Sequence, residues 1–165
     1  MHTVIKASAL AALLLGLCPA AEADGLVKVE QTIFGMDCAP CAYGMEKGLG
    51  KLAGVSKVDV SLEQGVAVID FAPNSPTTLA DIHDVVLKGG LTPEKIVLSV
   101  QGVVTQRGDK LVLTDGSKEE YVLAGLSASQ AADLKPGAAV VVHGQASGEP
   151  GSSPITLTVQ DMKTL

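Results

Sequence analysis

Residues 26–52 read LVKVEQTIFGMDCAPCAYGMEKGLGKL, and this stretch decides the fold. Leu26 to Phe34 mixes Val27, Val29 and Ile33 with Lys28, Glu30 and Gln31, as a half-buried strand does. The turn Gly35-Met36-Asp37-Cys38-Ala39-Pro40-Cys41 follows. Ala42, Met45, Leu49 and Leu52 then recur at helical offsets, one apolar stripe along a helix that Gly54 is expected to end. Gly44, Gly48 and Gly50 each cost that helix about 1 kcal/mol relative to alanine, so packing has to hold it.

Downstream, Val58, Val60 and Leu62 alternate with Lys57, Asp59 and Ser61, and Glu63-Gln64-Gly65 turns the chain into a strand over Val66 to Phe71. Asn74, Ser75, Pro76 and Thr77 make a loop that offers helix caps. A second helix carries Leu79, Ile82 and Val86 and stops at Gly89-Gly90, and Ile96 to Val100 supplies one more strand. Strand, helix, strand, strand, helix, strand is the split βαβ plan, an antiparallel sheet covered on one face by two helices. From about Val100 the texture changes. Strands are expected at Val100–Gln106, Lys110–Thr114 and Tyr121–Leu123, a short helix at Ser129–Leu134, and strands at Ala138–Gln145 and Ile155–Asp161. Asp115-Gly116 and Pro136-Gly137 punctuate them as turns. Three strands, a helix and two strands is the order of a five-stranded OB-type barrel.

Before all of this, Lys6, an apolar run from Ala7 to Leu17, and Ala21-Glu22-Ala23 have the layout of a secretory signal peptide. The apolar run is shorter than the ~20 residues a membrane helix needs. Cleavage is expected after Ala23, which leaves no membrane span and makes the protein secreted and periplasmic. Cys18 invites a lipoprotein reading, but Leu17 stands before it where such signals want a small residue.

The composition of the 165 residues narrows the function further. A formal net charge of -6 lacks the basic footprint that a phosphate backbone demands, so nucleic acid is not expected as a partner. With two Phe, two Tyr and no Trp, base-stacking platforms are not expected either. Three cysteines cannot make a disulfide framework. After signal removal Cys38 and Cys41 remain.

Two thiols separated by two residues just before a helix can aim both sulfurs at one spot. The helix start favours thiolate over thiol, and thiolate is the form that binds metal. Two soft sulfurs suit a soft ion of low coordination number, Cu(I) or Hg(II). A closed zinc site usually takes four ligands, and there is no second cysteine pair; His83 and His143 fall on separate elements.

Gly35-Met36-Asp37-Cys38-Ala39-Pro40-Cys41 resembles the Gly-Met-x-Cys-x-x-Cys signature of the heavy-metal-associated domain family. Gly54-Val55-Ser56-Lys57-Val58-Asp59-Val60 and Ala67 to Phe71 also look like that family, and the similarity runs roughly from Val27 to Val100. The resemblance implies a ferredoxin-like fold, Cys38 and Cys41 as the ligands, and Met36 as a buried residue that shapes the loop. Leu91 follows Gly90 where family members often carry an aromatic, and Lys88 is only near the place where many copper chaperones use a lysine. The resemblance therefore implies a soft ion without choosing between copper and mercury.

The expected fold class is α+β: a ferredoxin-like βαββαβ sandwich followed by a small all-β OB-like barrel. The expected organisation is a signal peptide at residues 1–23, a heavy-metal-associated domain at 24–99 and the barrel at 100–165. The expected function is a secreted carrier or sequestering protein for Cu(I) or Hg(II), which passes the ion to a metal transporter or acceptor protein and is not an enzyme. The alternative is thiol–disulfide exchange by the same pair, since Cys-Ala-Pro-Cys resembles the Cys-x-Pro-Cys of thioredoxin-type proteins. Asp37 either tunes the metal loop or caps the helix. Tyr43 either packs or shields the sulfurs. His83 and His143 are expected to be structural, and Asp81, Asp84, Glu119 and Glu120 to be solvated acidic faces.

Overall fold

A computed structural model describes residues 25–148 and 151–165. The segment expected to be a signal peptide, with Cys18, lies outside the described residues. The elements are β1 (Gly25–Phe34), α1 (Ala39–Leu49), β2 (Val55–Ser61), β3 (Val66–Phe71), α2 (Leu79–Lys88), β4 (Thr92–Arg107), β5 (Lys110–Asp115), β6 (Glu120–Ala124), α3 (Ala128–Asp133), β7 (Ala139–Ser147) and β8 (Ile155–Thr164).

The first half is a βαββαβ sandwich in which β2-β3-β1-β4 form an antiparallel sheet. Along β1 the inward positions alternate as Val29, Gln31 and Ile33, all buried. A register shift between Leu26 and Lys28 re-phases the strand, so that Leu26 is buried as well and Val27 is left exposed. Both helices lay their stripes on this sheet: Met45 and Leu49 from α1, and Leu79, Ile82 and Val86 from α2.

The helix ends differ from expectation in two places. Gly50, not Gly54, caps α1, and Gly54 sits at φ +76 in the turn that leads to β2. Thr78, rather than a residue of the preceding loop, caps α2 through a box with Asp81. Gly48 has a packing role, because a Cβ there would stand 2.9 Å from Val85 of α2. The glycine that weakens α1 is what lets the two helices approach.

The strand expected in two pieces on either side of Val100 is one 16-residue strand, β4. One edge pairs first with β1, from Thr92 to Gln101, and then with β5, from Gly102 to Arg107. The opposite edge pairs with β7 from Ile96 to Val103. Gly102 stands at the hand-over, where a Cβ would meet the Thr114 carbonyl oxygen at 2.5 Å.

The second half runs β4-β5-β6-β8-β7, and β7 returns to β4 to close a five-stranded barrel. Its pairings are antiparallel except for β6 with β8, which run parallel. The short α3, with a Ser127–Gln130 capping box, links β6 to β7. Leu113, Tyr121, Val140 and Leu157 of the barrel belong to the same buried apolar cluster as Val29, Met45 and Ile82 of the sandwich. Among the described residues no helix is long and apolar enough to cross a membrane.

Candidate metal site

The loop between β1 and α1 brings the two cysteines together. Gly35 leaves β1 at φ +86, a left-handed conformation that side chains rarely adopt. Met36 then turns inward, 5% exposed, and joins the core cluster. This anchors the loop from below and leaves Asp37 exposed above it.

Cys38 is the N-cap of α1, with φ -134 and ψ 145. Its Sγ accepts the backbone N–H of Cys41 at 3.1 Å. Sulfur thus takes the place that a serine or aspartate oxygen takes in ordinary caps. Pro40 fits the first turn, where its missing N–H is no loss. Asp37 therefore does not cap the helix.

Cys38 and Cys41 are joined as a disulfide, with Cα atoms 5.1 Å apart. Both are half-buried. Among the described residues the group of His, Cys, Asp or Glu side chains able to share an ion is Asp37, Cys38 and Cys41, with ligand atoms within 4.8 Å of one another. Once the sulfurs are reduced, unpaired N–H groups at the start of α1 favour their thiolate form. The arrangement can then offer two soft sulfurs and one hard oxygen to an ion at the surface.

Other residues singled out in the sequence stand elsewhere. Tyr43 is 62% exposed with Lys47 over its ring at 5.2 Å, so it does not pack in the core. Leu91 lies beside Gly35, at the edge of the loop. His143 shares a 3.0 Å hydrogen bond with Ser99 Oγ, and His83 lines a cleft with Pro93 and Glu94.

The acidic residues divide. Asp84 pairs with Lys88 at 3.5 Å, Glu120 with Arg107 at 2.6 Å, and Asp81 caps α2. Glu119 departs from the solvated face expected of it: it is half-buried and accepts the Tyr121 hydroxyl at 2.7 Å. Sequence reasoning missed it because nothing local marks which carboxylate of Glu119-Glu120 turns inward.

A βαββαβ sandwich carries the Cys38–Cys41 pair at the start of its first helix. Residues 31–91 match the family profile described as heavy-metal-associated domain, and the chain carries such a domain over that span. A copper-transporting ATPase of Helicobacter pylori is 40% identical over 63 residues, which are 38% of this chain and 8% of that protein. The mercuric transport protein periplasmic component of Shigella flexneri is 51% identical over 37 residues, 22% of this chain and 41% of that one. Among solved structures, a copper binding domain from HMA7, a P-type ATPase, is 32% identical and covers 42% of this chain and 92% of its own, with a TM-score of 0.39. This chain thus spans less than half the length of the curated relatives named here.

Proposed function

We propose that the protein is a secreted, periplasmic carrier of a soft heavy-metal ion, Cu(I) or Hg(II), held by the thiolates of Cys38 and Cys41. The observation that carries this reading is the placement of both sulfurs at the N-cap and first turn of α1, on a surface loop of a heavy-metal-associated domain. The copper-transporting and mercuric relatives support the choice of ions. That the mercuric relative is a periplasmic component supports the compartment, together with the Lys6 to Ala23 pattern.

Loading begins with reduction. Two electrons and two protons from a thiol reductant open the disulfide to two thiols. Loss of both thiol protons then accompanies metal binding. Two sulfurs satisfy a linear soft ion, and Asp37 offers an oxygen to an ion that takes a third ligand. Because the site is at the surface, a thiolate of a metal transporter or acceptor protein can attack the ion directly. A three-coordinate intermediate forms, and Cys38 or Cys41 is released. No substrate bond is broken, so the proposed role is transfer, not catalysis.

The barrel is proposed to be of OB type, which the order β4-β5-β6-β8-β7 and its closure onto β4 support. We propose treating residues 24–99 as the metal unit and 100–165 as the barrel unit, with nucleic acid not among its partners.

The test is a competition titration of the reduced full chain with Cu(I) against a calibrated chelator, beside Cys38→Ser/Cys41→Ser. One-to-one binding that vanishes in the double variant supports the carrier. Equal affinity in both refutes it. The closed disulfide at a helix start favours one second reading, thiol–disulfide exchange. That reading predicts accelerated disulfide exchange with a thiol substrate in the absence of metal.

A further inference from the structure

Among the described strands β2 alone has a neighbour on one side only. β3 pairs with it from Val55 to Ser61, and every other strand is flanked on both sides, because β7 returns to β4. The open side of β2 carries backbone N–H and carbonyl groups that the sheet does not use, and such an edge is a template for a further strand. On the helix side of β2 a cleft of about 300 Å³, lined by Lys47, Gly50 and Lys51 of α1, opens beside Val55 and Val58, so a side chain arriving there has room.

Bulges and charges are the usual guards of such an edge. The bulge of β2 stands near its start, at the register shift between Val55 and Lys57, and Lys57 to Ser61 pair with β3 without interruption. The charges are Lys57 and Asp59, two residues apart on one face of the strand. Their Nζ and Oδ2 atoms are 3.9 Å apart, and the side chains are 67% and 69% exposed. Val58 and Val60 pack against the core cluster instead. Opposite charges two residues apart repel some strands and fit others.

The pleat decides which strand they fit. In an antiparallel pair related by a two-fold axis, the axis has to pass through a residue. Were it between residues, each outward-pointing N–H would face a residue whose own groups point back to β3. Three residues of the charged stretch are available. An axis at Lys57 sets two lysines directly opposite each other, and an axis at Asp59 sets two aspartates, both destabilising. An axis at Val58 sets Lys57 of each copy opposite Asp59 of the other. It also brings Val58 against Val58, a β-branched pair, and meets the bulged end of each strand with the regular end of the other.

We propose that the open edge of β2 is a self-association surface, on which a second copy of this chain adds its own β2 antiparallel about a two-fold axis at Val58, with Lys57 and Asp59 fixing the register. The same patch serves both copies, as a closed two-fold interface requires. β1 and β2 both run antiparallel to β3, so the end of β2 and the cysteine loop after β1 lie toward the same end of the sheet. The two-fold turns the second copy end for end. The two cysteine loops therefore point to opposite ends of the joined sheet, and the dimer needs neither a metal ion nor the sulfurs.

The test is sedimentation velocity of the reduced, metal-free protein over a concentration series at low salt. A monomer–dimer shift is expected, and the same shift for Cys38→Ser/Cys41→Ser. Lys57→Asp and Asp59→Lys each set like charges opposite each other twice across the axis, and each should weaken the dimer roughly tenfold. The double reversal Lys57→Asp/Asp59→Lys should restore it, because the reversed pattern is again self-complementary. Both side chains are exposed, so circular dichroism of the variants should match the parent. Outward amides of β2 should exchange more slowly as concentration rises. A protein that stays monomeric up to about 1 mM overturns the proposal. So does association that needs added metal, that ignores the single reversals, or that the double reversal fails to restore.

Discussion

Met36 tests the division of labour inside the metal loop. Its side chain is 5% exposed and belongs to the core cluster, while the neighbouring Asp37 is solvent-facing. Met36→Ala removes a buried thioether and leaves a cavity. Buried methionine-to-alanine changes cost 2–5 kcal/mol, and a loop at the end of a core collapses part of the way, so about 2–3 kcal/mol is expected. For a chain of this size that is a fall of roughly 4–12 °C in melting temperature. Denaturant unfolding of reduced protein should show a lower midpoint with an unchanged slope. Met36→Leu, which conserves volume, should restore most of the loss. Neither variant should change Cu(I) affinity measured well below the unfolding midpoint. If Met36→Ala leaves stability intact and weakens Cu(I) binding about tenfold, the sulfur of Met36 is a ligand and the reasoning fails.

Other expectations follow the same pattern. Cys38→Ser should keep α1 capped, since serine is a better cap than cysteine, and yet lose tight soft-metal binding; unfolding and a metal titration on one sample check both halves. Asp37→Ala should leave stability unchanged and Cu(I) binding nearly so, while weakening retention of divalent ions that accept oxygen, measured by chelator competition. Thr78→Ala removes the α2 capping box and should cost about 1 kcal/mol, read from the denaturation midpoint. Gly102→Ala puts a methyl against the Thr114 carbonyl and should cost about 1–3 kcal/mol, the usual range for overpacking.

Much of the architecture could be read from pattern because each element carries its own period. Val66 to Phe71 alternates and is a half-buried strand; Leu79, Ile82 and Val86 recur at helical spacing and are the buried face of α2. The start of β4 was illegible. Thr92 and Pro93 stand before the expected start at Ile96, and it is their pairing with Phe34 and Ile33 across the sheet that extends the strand to them. The cysteine pair was legible as a pair at a helix start, but the capping role of Cys38 was not. Asp37 is the residue type that caps, and the sulfur took the position instead. Tyr43 next to Cys41 read as a shield or a packed ring, whereas its place on the outer side of α1 exposes it. Glu119 and Asp115 sit among charged and small residues that look solvated. Glu119 also meets a helix start 40 residues away, a contact that no local window contains.

The shared strand β4 has a consequence for how the protein meets others. In a free-standing sheet of order β2-β3-β1-β4, both outer strands would offer rows of open backbone groups, inviting another chain to add itself there. Here β7 covers one of them from Ile96 to Val103. The half that carries the cysteine pair has therefore given one of its two sticky margins to its own chain. A cut between residues 99 and 100 would sever β4 within that covered stretch, so the excised half would be expected to self-associate along the newly bared margin. The barrel, whatever else it touches, acts as a permanent chaperone for that margin.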